Sequence, residues 1–409
     1  MSDAVTPTPA PDQPPNLPPE EPNRRRFLGG ALTLGCSAAA FPLVTPVTVA
    51  AAPGENRLVV IILRGAMDGL DVVRPRGEAA LAGLRPTILQ QADAIDLDGF
   101  FGLHPRLDGL APLWSRGELA FAHAVATPYR DKRSHFDGQD FLENGGEEPD
   151  GSLTRARDGW LNRMLTLVPG AEAETAYAVG RERMLLLDGE AATQSWSPDA
   201  DLALSPQGRH LLEVIYRGDP LFAAAAATAL NLSEQMDASA TLRSRRQAEA
   251  LATFAADRLS GDARIAAFSI GGWDTHRRQD NAIVRALEEL QTALLTLRDG
   301  LGPHWSRTMV LAITEFGRTV RENGSAGTDH GTGGALLMAG GAIAGARVHG
   351  RWPGLADGDL YNQRDLMPTD DVRRYAGWAL RGLFGLSGTD IERTVFPGLD
   401  MGSDLGIVA

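Results

Sequence analysis

The chain alternates short, unbroken apolar runs with amphipathic stretches. Residues 58–63 read L-V-V-I-I-L, without a polar residue and rich in β-branched side chains. Such runs mark strands buried on both faces of a parallel sheet. Residues 57–63 are therefore expected to form the first and central strand. Further strands are expected at 118–125, 264–270, 308–313 and 335–339, and shorter ones at 177–179 and 184–187. Between them, apolar residues spaced three and four apart predict helices at 107–116, 158–168, 280–298 and 371–383. A helix at 135–143 is expected to start from Ser134, and the closing helix from Thr369. Residues 205–259 are rich in Ala, Leu and Arg and predict two or three helices forming a side layer or cap. The alternation predicts an α/β fold, a mostly parallel central sheet with helices on both faces.

The first 52 residues do not fit that pattern. Residues 1–23 are rich in Pro and acids, Arg24-Arg25-Arg26 follow, and a mildly apolar run from Leu28 to Val49 ends in Ala50-Ala51-Ala52. This is the layout of a twin-arginine export signal cleaved near Ala52. A retained anchor and a lipid-modified Cys36 are the alternatives, but glycines and prolines break the run and Thr33-Leu34-Gly35 is a poor lipidation box. Cleavage would leave residues 53–409 as a single domain without cysteine, hence without disulfide or thiolate chemistry. It would also leave no stable membrane insertion, and place the protein in the periplasm or outside the cell, with the export machinery as a partner. The net charge of −13 argues against a nucleic-acid partner, because neutralising phosphates takes a basic face.

Chemistry concentrates where strands are expected to end. Asp68 follows the first strand between glycines, as a ligand or as a helix cap; Asp71 is nearby. After the strand at 264–270 comes G-G-W-D-T-H. Asp274 and His276 there are two apart and would project to one side of an extended segment, unless Asp274 or Thr275 only caps the next helix. After 308–313 come Glu315 and a Gly-rich loop with Asp329 and His330. Carboxylates with imidazoles suit a divalent metal: Zn²⁺ or Mn²⁺, or Mg²⁺ or Ca²⁺ if carboxylates dominate. Ser134 at a helix N-terminus, with Arg130 and Arg133 before it, is either a nucleophile beside free backbone N–H groups or only a cap. His104 and His123 sit among apolar neighbours and read as core residues, and His349 as an outside candidate for the site.

The motifs L-V-V-I-I-L-R-G-A-M-D-G-L, L-D-G-F-F-G-L-H-P, Y-R-D-K-R-S-H-F-D-G-Q-D, D-G-W-L-N-R, G-G-W-D-T-H, T-E-F-G-R-T and G-T-D-H-G-T-G-G-A span nearly the whole chain after the leader. Together they resemble a family of exported bacterial proteins, the domain-of-unknown-function family one-five-zero-one, which is itself similar to the alkaline phosphatase and sulfatase superfamily. The resemblance implies an alkaline-phosphatase-like fold. It also implies metal positions at Asp68, Asp274, Glu315 and His330, to which the residues themselves add His276 and Asp329 as candidates. Ser134 then stands in the place of the nucleophile; in an enzyme of this kind Arg133 or Arg318 is expected to steady transition-state charge. Three departures stand out: Phe316 occupies the place of a second-site histidine, His276 follows Asp274 at two residues instead of the usual four, and Ser134 is followed by H-F-D-G, which is not the sulfatase signature.

The function expected is an exported, metal-dependent hydrolase or transferase of phosphate or related esters, with a small-molecule or polymer substrate. The alternative is a non-catalytic binding or scaffold protein that keeps the fold and one metal.

Overall fold

The computed structural model describes residues 54–90, 93–146, 158–180, 184–196 and 247–409. The leader with its arginines, and residues 205–246 of the stretch expected to form a helical side layer or cap, lie outside the described residues. Residues 51–409 cluster as one compact unit.

A nine-stranded sheet forms the centre. In chain order its strands are β1 (Arg57–Leu63), β2 (Leu119–Ala126), β3 (Ala176–Val179), β4 (Gln194–Trp196), β5 (Ile265–Ile270), β6 (Thr308–Ile313), β7 (Gly334–Ala339), β8 (Val348–His349) and β9 (Asp370–Asp371). Across the sheet the order is β8-β2-β7-β6-β1-β5-β3-β4, with β9 also on β2. β1 pairs in parallel with β5 on one side and β6 on the other, as a fully buried apolar run requires.

Alternate side chains of β1 enter two cores. Val59, Ile61 and Leu63 face α2 (Gln247–Ser260) and α3 (Val284–Leu301), whereas Leu58, Val60 and Ile62 face Trp160–Leu165 and α4 (Val372–Phe384). The fold is α/β with helices on both faces, as the sequence predicts.

Three expectations change. Residues 184–187 form no strand: the edge of β3 is taken by β4, and the Leu186 N–H is bound by buried Glu143, so Leu185–Leu187 closes into a single 3-10 turn. α4 is capped by Asp371, which accepts from the Arg373 N–H at 2.9 Å, and not by Thr369, because Asp370 and Asp371 first pair with β2. β7 runs antiparallel to both β6 and β2, because the loop after β6 returns without the crossover helix that a parallel neighbour needs.

The parallel strands β1, β5 and β6 end at the same edge. Their following loops, 64–68, 271–278 and 314–333, are joined there by α1 (His135–Asn144), the helix after β2. Two close approaches hold these loops together. Gly65 has φ +116°, and a Cβ there would lie 2.6 Å from the Asp274 nitrogen; a Cβ on Gly327 would lie 2.2 Å from the His276 carbonyl carbon. Only glycine fits either place.

Candidate metal centre

His135, Asp274 and His330 each bring one ligand atom to a common point, all within 4.8 Å of one another. His276 adjoins them: its Nε2 is 3.0 Å from Asp274 Oδ1 and 3.0 Å from His330 Nε2. α1 delivers His135 as its first residue, the loop after β5 delivers Asp274 and His276, and the loop after β6 delivers His330.

Each imidazole is held from behind by its Nδ1. His135 donates to Glu315 Oε1 at 2.7 Å, His330 to the Arg133 carbonyl at 3.0 Å, and His276 to Asp329 Oδ1 at 3.1 Å. A carbonyl can only accept, and so can an ionised carboxylate. Burial would raise both carboxyls. At Glu315, bonds from His135, Gln139 and the Gly65 N–H outweigh it, and at Asp329 those from Asn323 and His276 do, so both sit below their ordinary values. Nδ1 thus carries a proton in all three rings, so that in the neutral imidazole it is Nε2 that presents a lone pair.

Those lone pairs meet a carboxylate. His330 Nε2 is 3.2 Å and His135 Nε2 is 3.4 Å from Asp274. Burial pushes the Asp274 carboxyl up, but the contacts of His135, His330 and Arg318 hold it far below the carboxylate range. His135 Nε2 is buried without a hydrogen-bond partner. Four electron-rich groups facing one another repel unless a positive charge lies among them. In the bare chain that charge is a proton: Asp274, then Glu315, lifts the His135 imidazole to about 9. Imidazoles oriented by carboxylates and a carbonyl, with bare Nε2 atoms converging on an ionised carboxylate, are equally the donor set of a divalent metal. The residues present fit such an ion.

Other residues singled out in the sequence sit around this cluster. Glu315, wholly buried, and Asp329 stand behind histidines and do not reach the common point. Asp68 is not part of it: its carboxylate caps the turn at Leu70 and is bound by Arg85 at 2.6 Å and by Gln279 at 2.6 Å. Arg318 has a fully buried side chain whose nitrogens bind Asp274 (2.7 Å) and both the hydroxyl and carbonyl of Thr328, so it braces Asp274 from within the core.

Ser134 caps α1 through a long contact from the Asp137 N–H, 3.4 Å, and immediately precedes His135. Arg133, at φ +52°, supplies the carbonyl that holds His330. Its guanidinium lies 3.6 Å from Asp365. Phe316 is an apolar wall, its ring centroid 5.1 Å from that of His135, 5.3 Å from His330 and 6.2 Å from Tyr129. His104 and His123 are buried away from the cluster, and His349 is buried against Tyr375.

His135 is the member that sequence reasoning missed. Its signal is its place directly after an N-cap, where a first-turn side chain leans back toward the helix start and the strand ends beside it.

A family model described as "Protein of unknown function (DUF1501)" matches residues 115–394. No curated protein matches the chain. Among solved structures, it is similar to a protein in the alkaline phosphatase superfamily from Vibrio parahaemolyticus, with 13% identity over 76% of this chain and 69% of that one and a TM-score of 0.37. It is also similar to the lipoteichoic acid synthase LtaP from Listeria monocytogenes, with 9% identity over 88% of this chain and 77% of that one and a TM-score of 0.43. A third is the C-terminal periplasmic domain of EcEptC from Escherichia coli in complex with Zn, with 11% identity over 87% of this chain and 92% of that one and a TM-score of 0.42.

Proposed function

The chain belongs to the DUF1501 family, and from the side chains at its strand ends we propose that it is a metal-dependent hydrolase or transferase of phosphate or related esters. One observation carries the reading: three imidazoles, each fixed by its Nδ1, turn bare Nε2 atoms onto ionised Asp274. His135, Asp274, His276 and His330 would hold the ion. Three imidazoles to one carboxylate favour Zn²⁺ or a similar transition metal over Mg²⁺ or Ca²⁺. When bound, such an ion polarises an ester oxygen and offsets charge developing in the transition state.

The chain's own groups supply the rest. Ser134 Oγ is the nucleophile, loosely tied at 3.4 Å and placed at the N-terminus of α1, where free N–H groups favour an oxyanion. Attack on phosphorus would free the alcohol, and the serine proton would leave with it. Water would then release the phosphoryl group in hydrolysis, or a second alcohol would take it in transfer. Arg133, partly exposed beside Ser134 and 3.6 Å from Asp365, is the cation that would steady the substrate, since Arg318 is held by Asp274. Phe316 closes one side of the site with an apolar ring.

Export by the twin-arginine route, ending in the periplasm or outside the cell, remains part of this reading. It is supported by Arg24-Arg25-Arg26 ahead of the apolar run and by the small residues Ala50-Ala51-Ala52 at its end. No helix among the described residues is long and apolar enough to cross a membrane.

The second reading, a binding or scaffold protein that keeps the metal, is favoured by the capping contact that Ser134 makes. Turnover of aryl phosphate monoesters, diesters and sulfates by metal-loaded protein separates the two. The enzyme reading predicts activity that Ser134→Ala abolishes while metal content stays unchanged. A metal-loaded wild type inert across the panel supports the second.

A further inference from the structure

Beneath the cluster lies a buried polar network that the proposed chemistry does not use. At its centre is Gln279, fully buried three residues after His276. Its Oε1 accepts from the hydroxyls of Thr275 (2.8 Å) and Thr328 (2.7 Å), and its Nε2 donates to Asp68 (2.6 Å) and Asp71 (2.9 Å). Both lone pairs and both N–H groups of the amide are used. Two carboxylates on one side fix which end is nitrogen, so the amide has one orientation.

Through these four bonds Gln279 ties together the segments that follow β1, β5 and β6. Thr275 lies between Asp274 and His276. Thr328 lies two residues before His330, its hydroxyl also accepts from Arg318 Nε at 3.1 Å, and Arg318 in turn holds Asp274 at 2.7 Å. The Thr328 N–H donates to the Thr275 carbonyl at 3.1 Å, closing the loops on each other. On the far side, Asp68 is anchored by Arg85, which also binds the carbonyls of Thr319 and Val320. The loop after β5 and the loop after β6 thus share one buried clamp, and the spacing of Asp274, His276 and His330 follows from it.

We propose that Gln279 is a positioning residue that sets the metal affinity of the cluster by locking these two loops in register. This rests on the reading that the cluster binds a divalent metal. Outer partners of metal ligands act on affinity because a ligand that must be re-aimed binds less tightly.

The test is competition for Zn²⁺ against a chromophoric chelator, with thermal melting of the metal-free protein measured alongside, on wild type, Gln279→Leu, Thr328→Val, Thr328→Ser and Asp274→Ala. Gln279→Leu and Thr328→Val are expected to weaken Zn²⁺ binding by about tenfold, whereas Thr328→Ser, which keeps the hydroxyl, binds as wild type does. A purely structural role would lower the melting temperature and leave affinity in place. That result, with Asp274→Ala still losing the metal, overturns the role of Gln279 and leaves the metal centre standing. Wild-type affinity in Asp274→Ala overturns both. Should Gln279→Leu not fold, Thr328→Val decides.

Discussion

Glu315 Oε1 stands 2.7 Å from His135 Nδ1, a bond between residues 180 positions apart that turns the free nitrogen of the ring toward Asp274. Glu315 is fully buried and also accepts from Gln139 at 3.1 Å and the Gly65 N–H at 2.9 Å. Its work is to hold a histidine.

That arrangement predicts the effect of Glu315→Gln. The amide oxygen can still accept from His135, but the negative charge behind the ring is gone, and Zn²⁺ affinity should fall by about tenfold, within the range seen for such outer partners. Chelator competition measures it. Affinity equal to wild type would mean that the charge of Glu315 does not strengthen His135 as a ligand.

Arg318→Met addresses the brace on Asp274. The substitution leaves the Thr328 hydroxyl and carbonyl and the Asp274 carboxylate short of a donor. A loss of about 2 kcal/mol is expected from the unsatisfied groups alone, read by urea unfolding of the metal-free protein. Unchanged stability would show that these bonds are not made in solution.

These assignments mark the limit of what the sequence could say. β1, β5 and β6 were legible because unbroken apolar runs allow few alternatives, and Asp274, His276 and His330 because each follows such a run. Glu315, Asp329 and Asp68 were legible as site residues but not as to role, since a carboxylate's role depends on what faces it. Glu315 faces His135, Asp329 faces His276, and Asp68 faces Arg85, all partners distant in sequence. His135 was hidden behind Ser134, whose capping role drew the reading, and the antiparallel course of β7 depends on a loop whose path no local pattern states.

Phe316 predicts a contrast between two substitutions. Its ring is buried among His135, His330, Tyr129 and Phe141. Phe316→Ala should cost about 3 kcal/mol through the cavity it leaves. Phe316→Leu should cost under about 1.5 kcal/mol and keep the metal. Thermal and urea unfolding compare them. Equal, small losses would contradict a packed wall at this position.

The histidines outside the cluster predict the acid response. Burial lowers His123, His104 and His349 to about 4 from their ordinary 6.5. A lowered folded value means that the unfolded chain takes up protons the folded chain refuses. The stability these groups give is fully present above pH 6.5 and is lost as pH falls toward 4. His123 alone should contribute about 1.4 kcal/mol per pH unit across that window. Urea midpoints at pH 7 and pH 5 test it; equal midpoints would contradict the burial of neutral imidazoles.

The central claim is that His135, Asp274, His276 and His330 form one metal centre. Its most direct measurement is the metal content and Zn²⁺ affinity of purified wild type beside His135→Ala, the ligand the sequence did not single out. The account predicts one tightly held divalent ion in the wild type and its loss in His135→Ala, with the fold retained. Wild-type protein that takes up no ion from a metal-replete solution, or His135→Ala that holds it as tightly, would contradict the account.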